Sequence, residues 1–192
     1  MNYRHLFFTL ILISTQAFAG LTEDYHQLKN NGTNHSPIGT ICEEVAQLRY
    51  IEKYPAPEFR VITGITYSDK ERTLGELDLV VFDTASNQAV LIAEVKCWSS
   101  PKSGLKKARE QRQRFITNVR SSKALVFRWL KDPKEPFTKT QFNKTDRFIA
   151  IAQQGSRRAG FDVELDYTLP ELMQLREDIM ACQNSGECVK PK

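Results

Sequence analysis

The 192 residues predict a single α/β domain, a central mixed β-sheet flanked by helices. Three observations point there. Apolar residues recur every three or four positions over residues 39–54. Three strand-like runs follow at residues 59–67, 76–82 and 89–96, and a second helical stripe occupies 105–119. With 41% hydrophobic and 10% aromatic residues, the chain can bury a core, and its length fits one domain.

Residues 1–19 read as a secretory signal peptide. Arg4 supplies the positive end, residues 6–13 the apolar stretch and Ala17-Phe18-Ala19 the small-residue site for cleavage before Gly20. That stretch is short for a membrane anchor, no cysteine follows the cut to carry a lipid, and no other segment is apolar enough to span. The mature chain, with formal charge +3, is therefore expected to be exported, periplasmic or secreted, with no membrane contact. Residues 20–37 are polar and include Asn30-Asn31-Gly32-Thr33-Asn34, which predicts a loose N-terminal arm before a domain at 38–192.

Within the domain, Ile41, Val45, Leu48 and Ile51 form the stripe of the first helix, which Pro55 and Pro57 stop. Residues 83–87 form a turn that joins the second and third runs as a hairpin. Pro101 and Gly104 open the next helix, with Leu105, Ala108, Phe115 and Val119 facing inward. Residues 124–130 are apolar and fit either helix or strand. Residues 147–153 read as a buried strand ended by Gly155, and 161–167 alternate like an edge strand. A C-terminal helix starts at Thr168, where Thr168 and Glu171 make a capping box around Pro170, and runs to about Cys182.

Composition narrows the chemistry. The three histidines, His5, His26 and His35, all precede residue 36, which disfavours multi-histidine zinc hydrolases and paired-histidine ribonucleases. Carboxylates and lysine must carry any hydrolysis. The four cysteines form an even set in an expected oxidising compartment and favour two disulfides over thiol catalysis. Cys182 and Cys188 flank a short loop and are the natural pair, leaving Cys42 with Cys97, although three connectivities are open.

The sharpest pattern is Gly75-Glu76-Leu77-Asp78-Leu79-Val80, followed by Glu94-Val95-Lys96. Alternation along a strand puts Asp78 with Glu76, Glu94 with Lys96, and Leu77, Leu79 and Val81 on the opposite, buried face. If the strands pair, Asp78 and Glu94 converge with Lys96 one step along. Converging carboxylates repel unless a cation lies between them, and oxygen donors suit Mg²⁺ or Mn²⁺. Asp78, Glu94 and the Val95 carbonyl are the expected metal ligands. A lysine beside them can orient water or stabilise charge developing on a phosphate, a set suited to phosphodiester hydrolysis.

Asp78 followed by Glu94-Val95-Lys96, with apolar strands around each, resembles the PD-(D/E)XK nuclease superfamily. Gly75-Glu76-Leu77-Asp78 with Ala93-Glu94-Val95-Lys96 is especially similar to its small bacterial endonuclease-like and Holliday-junction resolvase-like branches. Those branches carry a glutamate on the first helix, which Gly39-Thr40-Ile41-Cys42-Glu43-Glu44-Val45-Ala46 resembles, with Glu43 at the matching position and Glu44 its near competitor. The resemblance covers residues 39–120. It implies a restriction-endonuclease-like core of αβββαβ order, Lys96 near the attacking water and Glu43 as an accessory acid. The proline before Asp78 that names the superfamily is absent, and cysteines at 42 and 97 are unusual for intracellular relatives. Regular alternation points Cys97 away from the metal face. A Cys42–Cys97 bridge therefore needs a strand ending at Lys96 or a helix on that other side.

The second helix is strongly basic. Lys102, Lys106, Lys107, Arg109, Arg112, Arg114, Arg120 and Lys123 face only Glu110, whereas residues 161–187 carry seven acids. Such asymmetry concentrates a phosphate-attracting field on one side. Lys106, Lys107, Arg109, Arg112 and Arg114 are the expected nucleic-acid contacts. Gln111 lies on the sheet-facing stripe between Ala108 and Phe115, where a polar side chain needs a partner. Some members of the superfamily place a glutamine on this helix near the active site, so Gln111 joins the candidates. Trp98 fits base stacking or packing, and Arg157-Arg158 fits a solvated loop or a phosphate contact. The expected function is an exported nuclease dependent on Mg²⁺ or Mn²⁺, acting on DNA at internal bonds with low sequence selectivity. Its rivals are an inactive nucleic-acid-binding module of the same fold and a partner-docking protein.

Overall fold

The computed structural model describes residues 14–191, so most of the expected leader lies outside the described residues. The elements run α1 (Ser14–Leu28), α2 (Ile38–Lys53), β1 (Phe59–Ser68), β2 (Thr73–Asp83), β3 (Gln88–Val95), α3 (Pro101–Arg120), β4 (Val126–Trp129), β5 (Pro136–Phe137), β6 (Phe148–Ala152), β7 (Val163–Glu164) and α4 (Leu169–Ser185). The strands make one mixed sheet in the order β5-β4-β1-β2-β3-β6-β7. β1, β2 and β3 are an antiparallel meander, while β6 is parallel to β3 and β7 parallel to β6. Long α3 provides the crossover that a parallel β3–β6 pair requires.

Helices cover both faces. On one, α2 and α4 bury Ile41, Val45, Leu172 and Ile179 against Leu79, Val81, Leu91 and Ala93. On the other, Phe115 and Val119 of α3 join Ile62, Ile65, Val80, Phe82 and Ile92. An aromatic wedge completes that second core. Phe142 stacks on Phe127 with ring centres 4.5 Å apart and meets Phe82 edge-on.

Two expectations are corrected here. The αβββαβ order does not hold as written, because β4 and β5 come between α3 and β6. Residues 121–146 form a short antiparallel edge on β1, with Ile65 opposite Trp129 and Phe127 opposite Phe137. Nor are residues 20–37 a loose arm. α1 runs through the expected cleavage position to Leu28, which is buried in the α2–α4 core. Asp24 is buried too and anchors α1 through a bidentate contact with Arg49 of α2 at 2.6 and 3.1 Å. The segment after α1 is tied down as well, since Arg176 of α4 donates to the backbone carbonyls of His35 and Ser36.

Two disulfides form, Cys42–Cys97 and Cys182–Cys188, and both fit an oxidising environment. Among the described residues, no helix is long and apolar enough to cross a membrane.

Candidate active site

β2 and β3 pair from Asp83 opposite Gln88 to Leu79 opposite Ala93, and the hairpin then opens. The Asp78 carboxylate enters the gap: its Oδ2 accepts the Val95 amide at 2.8 Å and the Lys96 ammonium. A side chain here takes the place of a backbone acceptor in the ladder.

The opening lies level with an irregular residue inside β1. Thr63 opposite Leu79 and Ile65 opposite Leu77 bracket Gly64 and Asp78. Gly64 has φ +73°, a left-handed conformation that glycine adopts without steric cost. Alternation is therefore lost at this level of both strands. Ile62 and Ile65 share the α3-side core, as do Leu77 and Val80, while Leu79 and Val81 face α2. This corrects the expectation that Leu77, Leu79 and Val81 share one face.

Glu94 and Lys96 arrive from β3 and its end. Asp78 is 4% exposed and Glu94 3%. Lys96 Nζ lies 3.4 Å from Glu94 Oε2, yet that oxygen is buried and has no hydrogen-bond partner. Glu43, on α2, and Glu76, on β2, add two further carboxylates. Burial first, and then the charge of Asp78, push both Glu43 and Glu94 up to about 8. Glu76 is also raised, for the same two reasons. For Lys96 burial works to lower the ammonium, but Asp78 and Glu94 outweigh it and the net shift is upward. The cluster thus holds four carboxyl groups around one ammonium.

Adjacent Glu44 has a different role. It accepts from Lys131 Nζ at 2.8 Å and from Asn31 Nδ2 at 2.5 Å, so its charge is spent holding α2 to its surroundings. Glu43, Glu44 and Glu76 all line a cleft of about 610 Å³ with Thr63, Gly64, Leu130 and Lys131, but of the two α2 residues only Glu44 has its charge paired there.

The donors have the chemistry of a hard-cation site: carboxylate oxygens, one of them buried without a hydrogen bond. As they stand, no three His, Cys, Asp or Glu side chains among the described residues converge closely enough to hold a metal ion. Lys96 occupies the space between Asp78 and Glu94 instead.

α3 flanks the cluster. Gln111 Oε1 is buried without a hydrogen-bond partner, so the polar group on the apolar stripe is unsatisfied. Lys106, Lys107, Arg109, Arg112 and Arg114 are all exposed. Arg109 and Arg112 border a small pocket of about 110 Å³ that reaches Glu94, and Lys106, Arg109 and Arg114 border a groove of about 920 Å³. Trp98 is 43% exposed, just past Lys96. Arg157 and Arg158 are exposed on a short 3-10 turn. Several trailing acids do structural work: Asp162 accepts the Ala150 amide at 2.7 Å, Asp166 pairs with Arg49, and Glu171 caps α4.

No family model, curated protein or solved structure matches the chain.

Sequence reasoning did not place Glu76 among the site residues or single out Gly64. Both left a signal. Glu76 is two residues from Asp78, and a lone glycine inside an apolar strand marks an irregularity. The Asp24–Arg49 anchor left none, because the two residues lie on separate helices.

Proposed function

We propose that the chain is an exported, metal-dependent nuclease, a deoxyribonuclease that cuts internal phosphodiester bonds with low sequence selectivity. The observation that carries this reading is the convergence of Asp78, Glu94 and Lys96 at the opening between β2 and β3, with one buried Glu94 oxygen held by no hydrogen bond and met only by the Lys96 ammonium at 3.4 Å. The resemblance of the Asp78 and Glu94-Val95-Lys96 motifs to PD-(D/E)XK nucleases supports it.

Asp78, Glu94 and the Val95 carbonyl are the groups to hold Mg²⁺ or Mn²⁺. Such an ion, when bound, lowers the pKa of a water and neutralises charge developing on a phosphoryl oxygen. The chain supplies the rest. Lys96, released from Asp78, donates to the attacking water or to a non-bridging phosphate oxygen and so orients in-line attack. Glu43, kept protonated near neutral pH by burial and Asp78, can donate a hydrogen bond or give up its proton when a cation arrives. Gln111, on the α3 stripe, brings a buried side-chain oxygen without a hydrogen bond and is a candidate to accept from a bound ligand. The exposed cations of α3 hold the backbone, and contacts of that kind position a duplex without reading its sequence.

One observation favours the rival reading of an inactive nucleic-acid-binding module: Lys96 already pairs with Asp78, and among the described residues no three His, Cys, Asp or Glu side chains are assembled. End-labelled DNA and RNA oligonucleotides, single- and double-stranded, separate the two in Mg²⁺, Mn²⁺ or EDTA. The nuclease reading predicts scattered internal cuts in DNA that EDTA abolishes. Retarded but intact DNA in every metal would leave the binding module as the better account.

A further inference from the structure

We propose that the Cys42–Cys97 disulfide is the redox switch of this site, holding Glu43 and Lys96 in one cluster only after oxidation. This rests on the nuclease reading and adds its regulation. The bridge joins residues 55 positions apart, with Cα atoms 6.3 Å from each other. Cys42 immediately precedes Glu43 and Cys97 immediately follows Lys96, so each sulfur is one residue from a member of the cluster.

The site needs such a tie. Pairing of β2 with β3 ends at Leu79 opposite Ala93 and β3 ends at Val95, so the Lys96 backbone is held on the β6 side alone, where its amide donates to the Ile151 carbonyl at 2.9 Å. α2 meets the sheet through side-chain packing, with no backbone ladder. Gathering four carboxyl groups around the largely buried Lys96 ammonium costs desolvation that packing must offset. The disulfide fixes α2 to the end of β3 beside the residues that bear this cost. The Cys182–Cys188 bridge closes a short loop after α4, with no site residue beside it in sequence.

Closure is thiol–disulfide exchange. Both S–H bonds of Cys42 and Cys97 are lost, an S–S bond forms, and two electrons and two protons pass to a disulfide oxidant, which leaves as its dithiol. Cys42 is fully buried and Cys97 nearly so, which shields the finished bridge from reductants. In a thiol-rich compartment α2 and the end of β3 lose their covalent tie and keep only packing and the β6 ladder, so the enzyme is silent where it is made and active where disulfides form.

The test uses the full mature protein in graded dithiothreitol buffers, reading plasmid cleavage, far-UV circular dichroism and hydrogen exchange. Misplacement of a site by about 1 Å costs on the order of 100-fold in rate. Reduction is expected to cut cleavage by about that factor while the circular dichroism holds. Exchange should rise in peptides covering residues 40–46 and 94–98. A Cys182→Ala/Cys188→Ala variant should retain the switch. Reduced protein cutting at the oxidised rate overturns the proposal, as does cleavage lost only in step with the fold. If the buried bridge resists native reduction, Cys42→Ala/Cys97→Ala replaces it: a folded variant that cuts at least about 100-fold more slowly supports the switch. An unfolded or fully active variant sinks it. Should oxidised wild type cut nothing, the nuclease reading fails by itself, and unchanged exchange in those two segments on reduction is what would still reject the switch.

Discussion

At Gly64 the β1 backbone adopts φ +73°, a conformation that costs a residue with a Cβ about 1–2 kcal/mol. A Cβ there would sit 3.4 Å from Leu130 Cδ1, so the cost is backbone strain more than collision. Gly64→Ala should lower unfolding stability by about 1–2 kcal/mol in urea. It should lower cleavage by more than stability, because Asp78 opposite moves with the strand. His35 offers a second test. Its ring is fully buried, neither nitrogen has a hydrogen-bond partner, and burial lowers its pKa from 6.5, with Glu44, Lys131 and Arg176 the charges around it. The folded state thus keeps the ring neutral while the unfolded chain takes up a proton first. This stability is present above 6.5 and lost as pH falls below it, a slope that His35→Leu should flatten in thermal melts. At this scale the convergence of Asp78, Glu94 and Lys96 was legible from the spacing of the β2–β3 hairpin, although the alternation used to reach it fails at Gly64 and Leu77. The choice between Glu43 and Glu44 was not. Adjacent helical residues differ by about 100° in direction, and only the docking of α2 decides which one meets the cluster.

Among the elements, the regular ones were read closely and the short ones were not. Thr168 and Glu171 do cap α4, with Glu171 Oε2 accepting the Thr168 amide at 2.7 Å, because a capping box is local chemistry. β4 and β5 span four and two residues, too few for a period to show. What holds them is aromatic packing from distant parts of the chain. Phe142, 1% exposed, touches Phe82, Phe115, Phe127 and Phe137. Phe142→Ala should cost about 3–5 kcal/mol by denaturant titration, the loss typical of a buried phenylalanine. Leu21, Tyr25 and Leu28 do repeat at helical spacing, but the polar residues between and after them hid α1. Its anchor, Asp24 on Arg49, becomes visible only once α2 is in place. The Cys42–Cys97 bridge ties α2 to the end of β3 across a loop whose closure is worth about 4 kcal/mol in the chain-entropy picture.

For the whole molecule, the α/β class and the site's place at the open end of the central hairpin follow from strand spacing, whereas the crossover through β4 and β5 does not. In the acidic trailing region Asp166 is paired with Arg49, whereas Asp162 and Glu171 accept neutral N–H groups and keep their charge. What stays unbalanced is the carboxylate cluster. Burial raises Glu43 and Glu94 from 4.5 to about 8, so their protonated forms favour the fold. Without a divalent ion, that stability is complete below 4.5 and is lost as pH rises towards about 8. A bound cation replaces the protons. The rise in melting temperature caused by Mg²⁺ or Mn²⁺ over EDTA should therefore grow as pH increases, and vanish in Asp78→Asn/Glu94→Gln. The most direct measurement is cleavage of supercoiled circular DNA by the mature, oxidised protein in Mg²⁺, Mn²⁺ or EDTA, alongside Asp78→Ala and Lys96→Ala. The account predicts metal-dependent nicking and linearisation by wild type, with both variants folded and inactive. Circles left intact by wild type, or cut equally well by either variant, would contradict it.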